Sequence, residues 1–204
     1  MSPKTPRNLV EYTAWSLPNA TFKLDLMARH LHCMRRWKIP GLVLQILMIL
    51  HRIEGWVNMS YDGAEWFCGE GWVEDGMRQD ALCVFGYDVT RGKHMDFTSP
   101  CGLAYAVGLS RRLKERSCNH WDTVCSSFVW MSQKHCARSL LSPLGNSGCY
   151  STYAGNLMVV RMIVLSLYHL SKLSVFLLEQ PSSSIMRAHP RFKCVRKLAI
   201  ANGY

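Results

Sequence analysis

Between Asp62 and Pro181 the chain alternates short apolar runs ending in glycine or an acid with longer runs at helical spacing. This alternation constrains the fold more than any other feature, because the two periods cannot share one element. Residues 64–71 (AEWFCGEG) predict a short strand ending in a glycine turn, and residues 72–80 a helix. Residues 81–88 (ALCVFGYD) predict a second strand that ends on an acid, 101–115 a third helix, and 121–125 a weak strand. Residues 145–148 read as loop, 152–172 as a long helix, and 174–181 (SVFLLEQP) as a buried strand stopped by Pro181. Strands separated by helices must be joined by right-handed crossovers, so the expected product is an α/β parallel sheet with helices on both faces.

The first 57 residues have a different character. Leu24, Met27, Leu31 and Met34 recur at helical spacing until Pro40-Gly41 breaks the run, and a more apolar helix is expected over residues 42–53. The organisation read from this is a helical N-terminal extension, 1–57, and an α/β domain, 58–204.

Composition narrows the classes. With 49% hydrophobic residues and seven Trp, the chain is far from the polar composition of disorder. Its formal charge of +10 favours polyanionic partners, nucleic acid first. Nine cysteines, an odd number without dense spacing, point to free thiols and a reducing intracellular compartment, nucleus or cytoplasm. No segment reads as a membrane span: residues 39–50 are too short, and residues 156–178 carry Arg161, His169 and Lys172. His30, His32 and Cys33 cluster, as do His135 and Cys136, but neither group has the paired spacing of a zinc site, so no metal is expected.

In parallel sheets, ligands bind beyond the carboxyl ends of the strands. The residues there are Gly69 and Gly71 after the first strand, Asp88 after the second, Asp96 in the next loop, Cys125 after the weak strand and Glu179 after the last. Two glycines permit a tight turn and close backbone approach. Asp88 follows at about the spacing at which nucleotide-binding sheets offer a carboxylate to ribose hydroxyls. By itself, each also has a bland reading as a turn or cap residue.

Read together, these pieces resemble the DNA (cytosine-5) methyltransferases. Residues 65–71 (EWFCGEG) are similar to that family's D-x-F-x-G-x-G opening motif, with Glu65 at the usual Asp. Asp88, Asp96, Cys125 and Glu179 then follow in the order of the family's second-strand acid, loop Asp, Pro-Cys motif and Glu-Asn-Val motif. Val124 stands where the family has Pro, and Gln180-Pro181 follow Glu179. A more local resemblance, over residues 60–195, is to uncharacterised proteins of unicellular algae that share a Cys-Ser-Ser-Trp-Val-Trp block and a Glu-Gln-Pro-Ser-Ser-Ser block. It rests on SSFVWMS, RSLLSPLGN and LLEQPSSSIMRAHPRF, and it implies no activity.

The methyltransferase resemblance implies a Rossmann-like sheet and S-adenosylmethionine as cofactor, lined by Phe67, Gly69, Gly71, Asp88 and Asp96. It implies Cys125 as the nucleophile that adds to a flipped-out cytosine and Glu179 as the acid that holds the base. Arg187, Arg191 and Arg196 are candidate phosphate contacts. The chain reaches Tyr204 soon after Glu179, so the family's later target-recognition region is expected to be absent. The alternative is a non-catalytic basic protein, including one of mobile-element origin, that keeps the fold and binds nucleic acid or another partner.

Overall fold

The computed structural model describes residues 58–201, and the helices predicted within residues 1–57 lie outside the described residues. Four strands, β1 (Tyr61–Trp66), β2 (Val84–Tyr87), β3 (Leu113–Trp121) and β4 (Val175–Leu178), form one sheet in the order β2-β1-β3-β4. Every pairing is parallel. Helix α1 (Trp72–Gln79) joins β1 to β2, and α2 (Pro100–Arg111) joins β2 to β3. The short α3 (Gln133–Cys136) and the long α4 (Tyr150–Ser171) lie between β3 and β4, and α5 (Pro190–Ala201) follows β4. The expected Rossmann-like α/β architecture is present.

Alternation along β1 assigns the helices to opposite faces, because successive side chains in a strand point opposite ways. Glu65 reaches α1, accepting the Glu74 backbone N–H at 2.6 Å. Its neighbour Trp66 turns the other way, to the His169 ring of α4 at 5.8 Å and Trp121 of β3 at 4.7 Å. Tyr87, the register partner of Trp66, donates its hydroxyl to the Gly102 carbonyl of α2 at 2.8 Å. Thus α1 covers one face, while α2 and α4 cover the other. The fully buried core lies on this second face around Trp66, Tyr87, Trp121, Leu165 and Tyr168. Stacked aromatic pairs of this kind contribute about 0.5–1.5 kcal/mol beyond the area they bury.

Local chemistry starts the helices where they begin. Ser99 caps α2 by accepting the Gly102 N–H at 2.9 Å, with Pro100 at the first position, where its missing donor costs nothing. Glu65 supplies a carboxylate to the start of α1, where the helix dipole favours negative charge.

Three expectations need correction. The helix predicted over 101–115 ends at Arg111, and the strand expected at 121–125 instead occupies Leu113–Trp121. The segment LKERSCNHW looks too polar for a central strand, yet β3 pairs with both β1 and β4. The reason is mutual satisfaction. Asn119 accepts from Trp66 Nε1 at 3.1 Å and donates to Ser117, whose hydroxyl lies 2.8 Å from that of Ser174. Buried polar groups that bond one another remove most of the burial penalty. The last correction concerns β4, read as buried. It is an edge strand with Val175 and Leu177 exposed.

Helix α4 is long and apolar enough to cross a membrane by length and composition, the one such helix among the described residues. Two-thirds of its most apolar window (67%) is buried within the protein, as for a core helix packed on a sheet.

Candidate functional site

The carboxyl ends of all four strands lie along one edge, as parallel pairing requires. From β1 the chain crosses outward to β2 and then returns past β1 to β3, so the topological switch point lies between β1 and β3. The Phe67–Gly71 turn flanks that point on one side and the loop carrying Cys125 on the other. Asp122 N–H donates to the Trp66 carbonyl at 3.0 Å and holds the two loops together at their roots.

The glycine turn is built from left-handed backbone. Phe67, Gly69 and Gly71 have φ of 64°, 47° and 83°, a region that only glycine adopts without strain. Phe67 accepts that strain while its ring packs on Phe97 at 5.2 Å and Trp121 at 6.1 Å. The two glycines differ. Nothing lies within 4 Å of where a Cβ on Gly69 would sit, whereas a Cβ at Gly71 would lie 2.5 Å from the Arg91 guanidinium. The protein's own side chain therefore fills the approach at Gly71. Arg91 is held there by Glu74 at 2.5 Å, and Glu74, buried, also pairs with Arg78. A Cβ on Gly86 of β2 would overlap both partners, so any larger residue there must displace the ion pair.

Asp88 sits at the tip of β2, nearly buried, and ties that tip to the glycine turn. Its carboxylate accepts the Gly69 N–H at 3.1 Å, the Thr90 N–H at 2.8 Å and the Thr90 hydroxyl at 2.7 Å. Burial alone would raise its pKa, but these bonds and Arg91 leave it below the usual carboxylate range. A carboxylate has about four acceptor positions, so one remains. That fits a single ligand hydroxyl beside Gly69, and does not fit a ribose held by two. Asp96 is committed to its own loop: its carboxylate accepts the Thr98 hydroxyl at 2.6 Å and the Thr98 amide at 2.8 Å, and the hydroxyl first of all holds its pKa low.

Cys125 lies half-buried in the loop after β3, where its carbonyl accepts the Phe128 N–H at 2.7 Å and Val124 beside it is exposed. Glu179 is largely exposed and lies 3.7 Å from His120. Gln180 joins the two loops by donating to the Thr123 carbonyl at 2.6 Å and accepting from Ser184 at 2.9 Å. Asp122, which the sequence did not single out, has its carboxyl pushed up, first by partial burial and then by Glu179 and Asp88. The acids that end β2 and β4 thus both bear on the one that follows β3.

Arg187, Arg191 and Arg196 are all exposed, the last two on α5 with exposed Lys193 and Lys197, and no acid occurs after Glu179. They form a separate basic feature. No group of three or more His, Cys, Asp or Glu able to hold a metal occurs among the described residues.

Sequence reasoning missed Glu74 and Arg91, which fill the glycine turn, and the surroundings of Arg138 and Cys149. A signal for Cys149 was present: it precedes Tyr-Ser-Thr at the start of the long apolar run, in the N-cap position of α4. No family model, no curated protein and no solved structure matches this chain.

Proposed function

We propose that the protein is a methyltransferase-like domain acting on nucleic acid, with its ligand site at the carboxyl edge of the sheet around Gly69 and Asp88. The observation that supports this reading is convergence. Gly69, Asp88, Cys125 and Glu179 leave four adjacent parallel strands along one edge, with the switch point between β1 and β3 among them. S-adenosylmethionine would supply the methyl group. Gly69 and the remaining acceptor of Asp88 would hold a cofactor hydroxyl, Cys125 would add to the pyrimidine ring, and Glu179 would hold its amine edge. Arg187, Arg191 and Arg196 would contact phosphate.

Isothermal calorimetry of the full chain with S-adenosylmethionine tests the reading. Binding that Asp88→Ala abolishes supports it. An absence of binding by folded protein overturns it.

The occupied glycine turn favours a second reading, a nucleic-acid binder without chemistry. Arg91 lies over Gly71, and three protein donors already bond Asp88. Binding would then be electrostatic, with each of three arginine–phosphate contacts adding about −0.9 to the slope of log K against log salt. Replacing all three arginines by Ala would remove about 2–3 from that slope, and Cys125→Ser would leave it unchanged.

A further inference from the structure

Away from the sheet edge, the segment between α3 and α4 gathers two cysteines, a serine and a buried guanidinium. Cys149 is the N-cap of the 22-residue α4, half-buried, with its sulfur 3.2 Å from the Ser151 hydroxyl. The same hydroxyl lies 3.5 Å from the sulfur of Cys136, which is only 1% exposed. One hydroxyl thus bridges a reachable thiol and a hidden one. The backbone is drawn together at the same place: the Asn146 N–H donates to the Cys136 carbonyl at 2.8 Å, and the Cys149 N–H to the Asn146 carbonyl at 3.1 Å.

Arg138 provides the second, independent observation. It is 2% exposed, and no carboxylate among the described residues pairs with it. Four neutral acceptors hold it instead: the Pro143 carbonyl at 2.5 Å, Asn156 at 2.9 Å, the Thr152 carbonyl at 3.0 Å and Ser127 at 3.2 Å. Its Nε is buried without a partner, and its positive charge interacts with both Cys136 and Cys149. A buried cation left without a counter-charge favours a neighbouring group that can become an anion.

We propose that Cys149 and Cys136 form a peroxide-responsive thiol pair, in which Cys149 is oxidised first and Cys136 resolves it to an intramolecular disulfide. The Cys149 thiolate attacks the O–O bond of hydrogen peroxide. An S–O bond forms, the O–O bond breaks, and hydroxide leaves, giving the sulfenic acid. The Cys136 sulfur then attacks the Cys149 sulfur: the S–S bond forms, the S–O bond breaks, and the departing hydroxyl takes the Cys136 proton as water. Ser151, bonded to both sulfurs, is placed to pass that proton. The Cys149 thiol is pulled down to about 7, chiefly by the Ser151 hydroxyl and then by the Thr152 amide at the helix start, so much of it is thiolate at neutral pH. Cys136, sealed from solvent, is reached only through its partner. This division of roles suits an attacking and a resolving thiol.

The test treats the full chain with a small excess of hydrogen peroxide at pH 7, blocks remaining thiols by alkylation, and maps peptides by mass spectrometry without reduction. A linked Cys136–Cys149 peptide as the dominant oxidised species is the expected result, and with Cys136→Ser a sulfenic acid at Cys149 trapped by dimedone. First oxidation at the exposed Cys83, Cys101 or Cys194, with Cys149 intact, would overturn the proposal. Because Cys136 is buried and its variant could disturb packing, the unaltered chain supplies a further measurement. Alkylation of Cys149 should reach half its maximal rate near pH 7, and a midpoint at the ordinary thiol value would overturn the proposal as well.

Discussion

Two buried charges, Glu74 under the glycine turn and Arg138 beside α4, are handled in opposite ways. Glu74 is neutralised by Arg91 and Arg78, and the pair fills the space over Gly71 and Gly86. Arg138 keeps its charge, with carbonyls, an amide and a hydroxyl as partners and the Phe128 ring 3.9 Å beneath it. Neutralisation closes a site and makes it structural. An uncompensated charge instead leaves a field for its neighbours to answer, and Cys136, Cys149 and His189 lie within it. The motif order that drew attention to the first region therefore leads to the more tightly filled of the two.

The contrast breaks most sharply on Arg138→Ala. That change strands the acceptors that held the guanidinium, at an expected cost of about 4 kcal/mol in urea unfolding. Arg138→Lys should recover only part of it, because an ammonium cannot span acceptors arranged for a planar fork. A loss below about 1 kcal/mol would mean that the buried charge is neutral in its effect. Acid comes next. Burial, then Lys172, lowers His169 to about 3, and burial, then Arg138 and Arg191, lowers His189 to about 4. Both are neutral when folded, while the unfolded chain takes up their protons near pH 6.5. Stability should therefore be full above that value and fall as pH drops toward 4, by about 3 kcal/mol for each ring. Thermal melts that are flat over this window would contradict the burial of both rings.

Glu74→Gln should cost less, about 2 kcal/mol, since Arg91 and Arg78 are 33% and 53% exposed and can turn their charge to water. Equal losses for Glu74→Gln and Arg138→Ala in the same urea series would erase the distinction between the two regions.

What the sequence made legible follows the same line. Strand and helix order was readable because apolar periodicity is local, and α1 and β2 fall where the pattern puts them. The strand β3 was misplaced because Ser117 and Asn119 are polar by composition, and only their tertiary partners make them core residues. At the carboxyl edge, the placement of Gly69, Asp88, Cys125 and Glu179 after four strand ends was readable from their order. That Arg91 would occupy the glycine turn was not, because the ion pair joins residues 17 apart across two elements. Cys149 was hidden by a boundary error of two residues: with α4 read as starting at 152, its N-cap looked like loop.

The smallest expected effect separates the two cysteines most directly. Cys149 has its pKa drawn below the ordinary thiol value, first by Ser151. A thiol depressed in the folded state adds stability above its unfolded pKa and loses it as pH falls through the folded value. The chain should thus gain slightly in stability between about pH 7 and pH 9, through the thiolate bonded at the start of α4. Cys149→Ser should flatten that rise, and Ser151→Ala should reduce it by removing the largest single cause. Cys125→Ser is the matched control, because Cys125 lies in the loop after β3 and not at the start of α4. Were Cys125→Ser to flatten the slope and Cys149→Ser to spare it, the reactive thiol would belong to the sheet edge, and the motif order would be the better guide to chemistry.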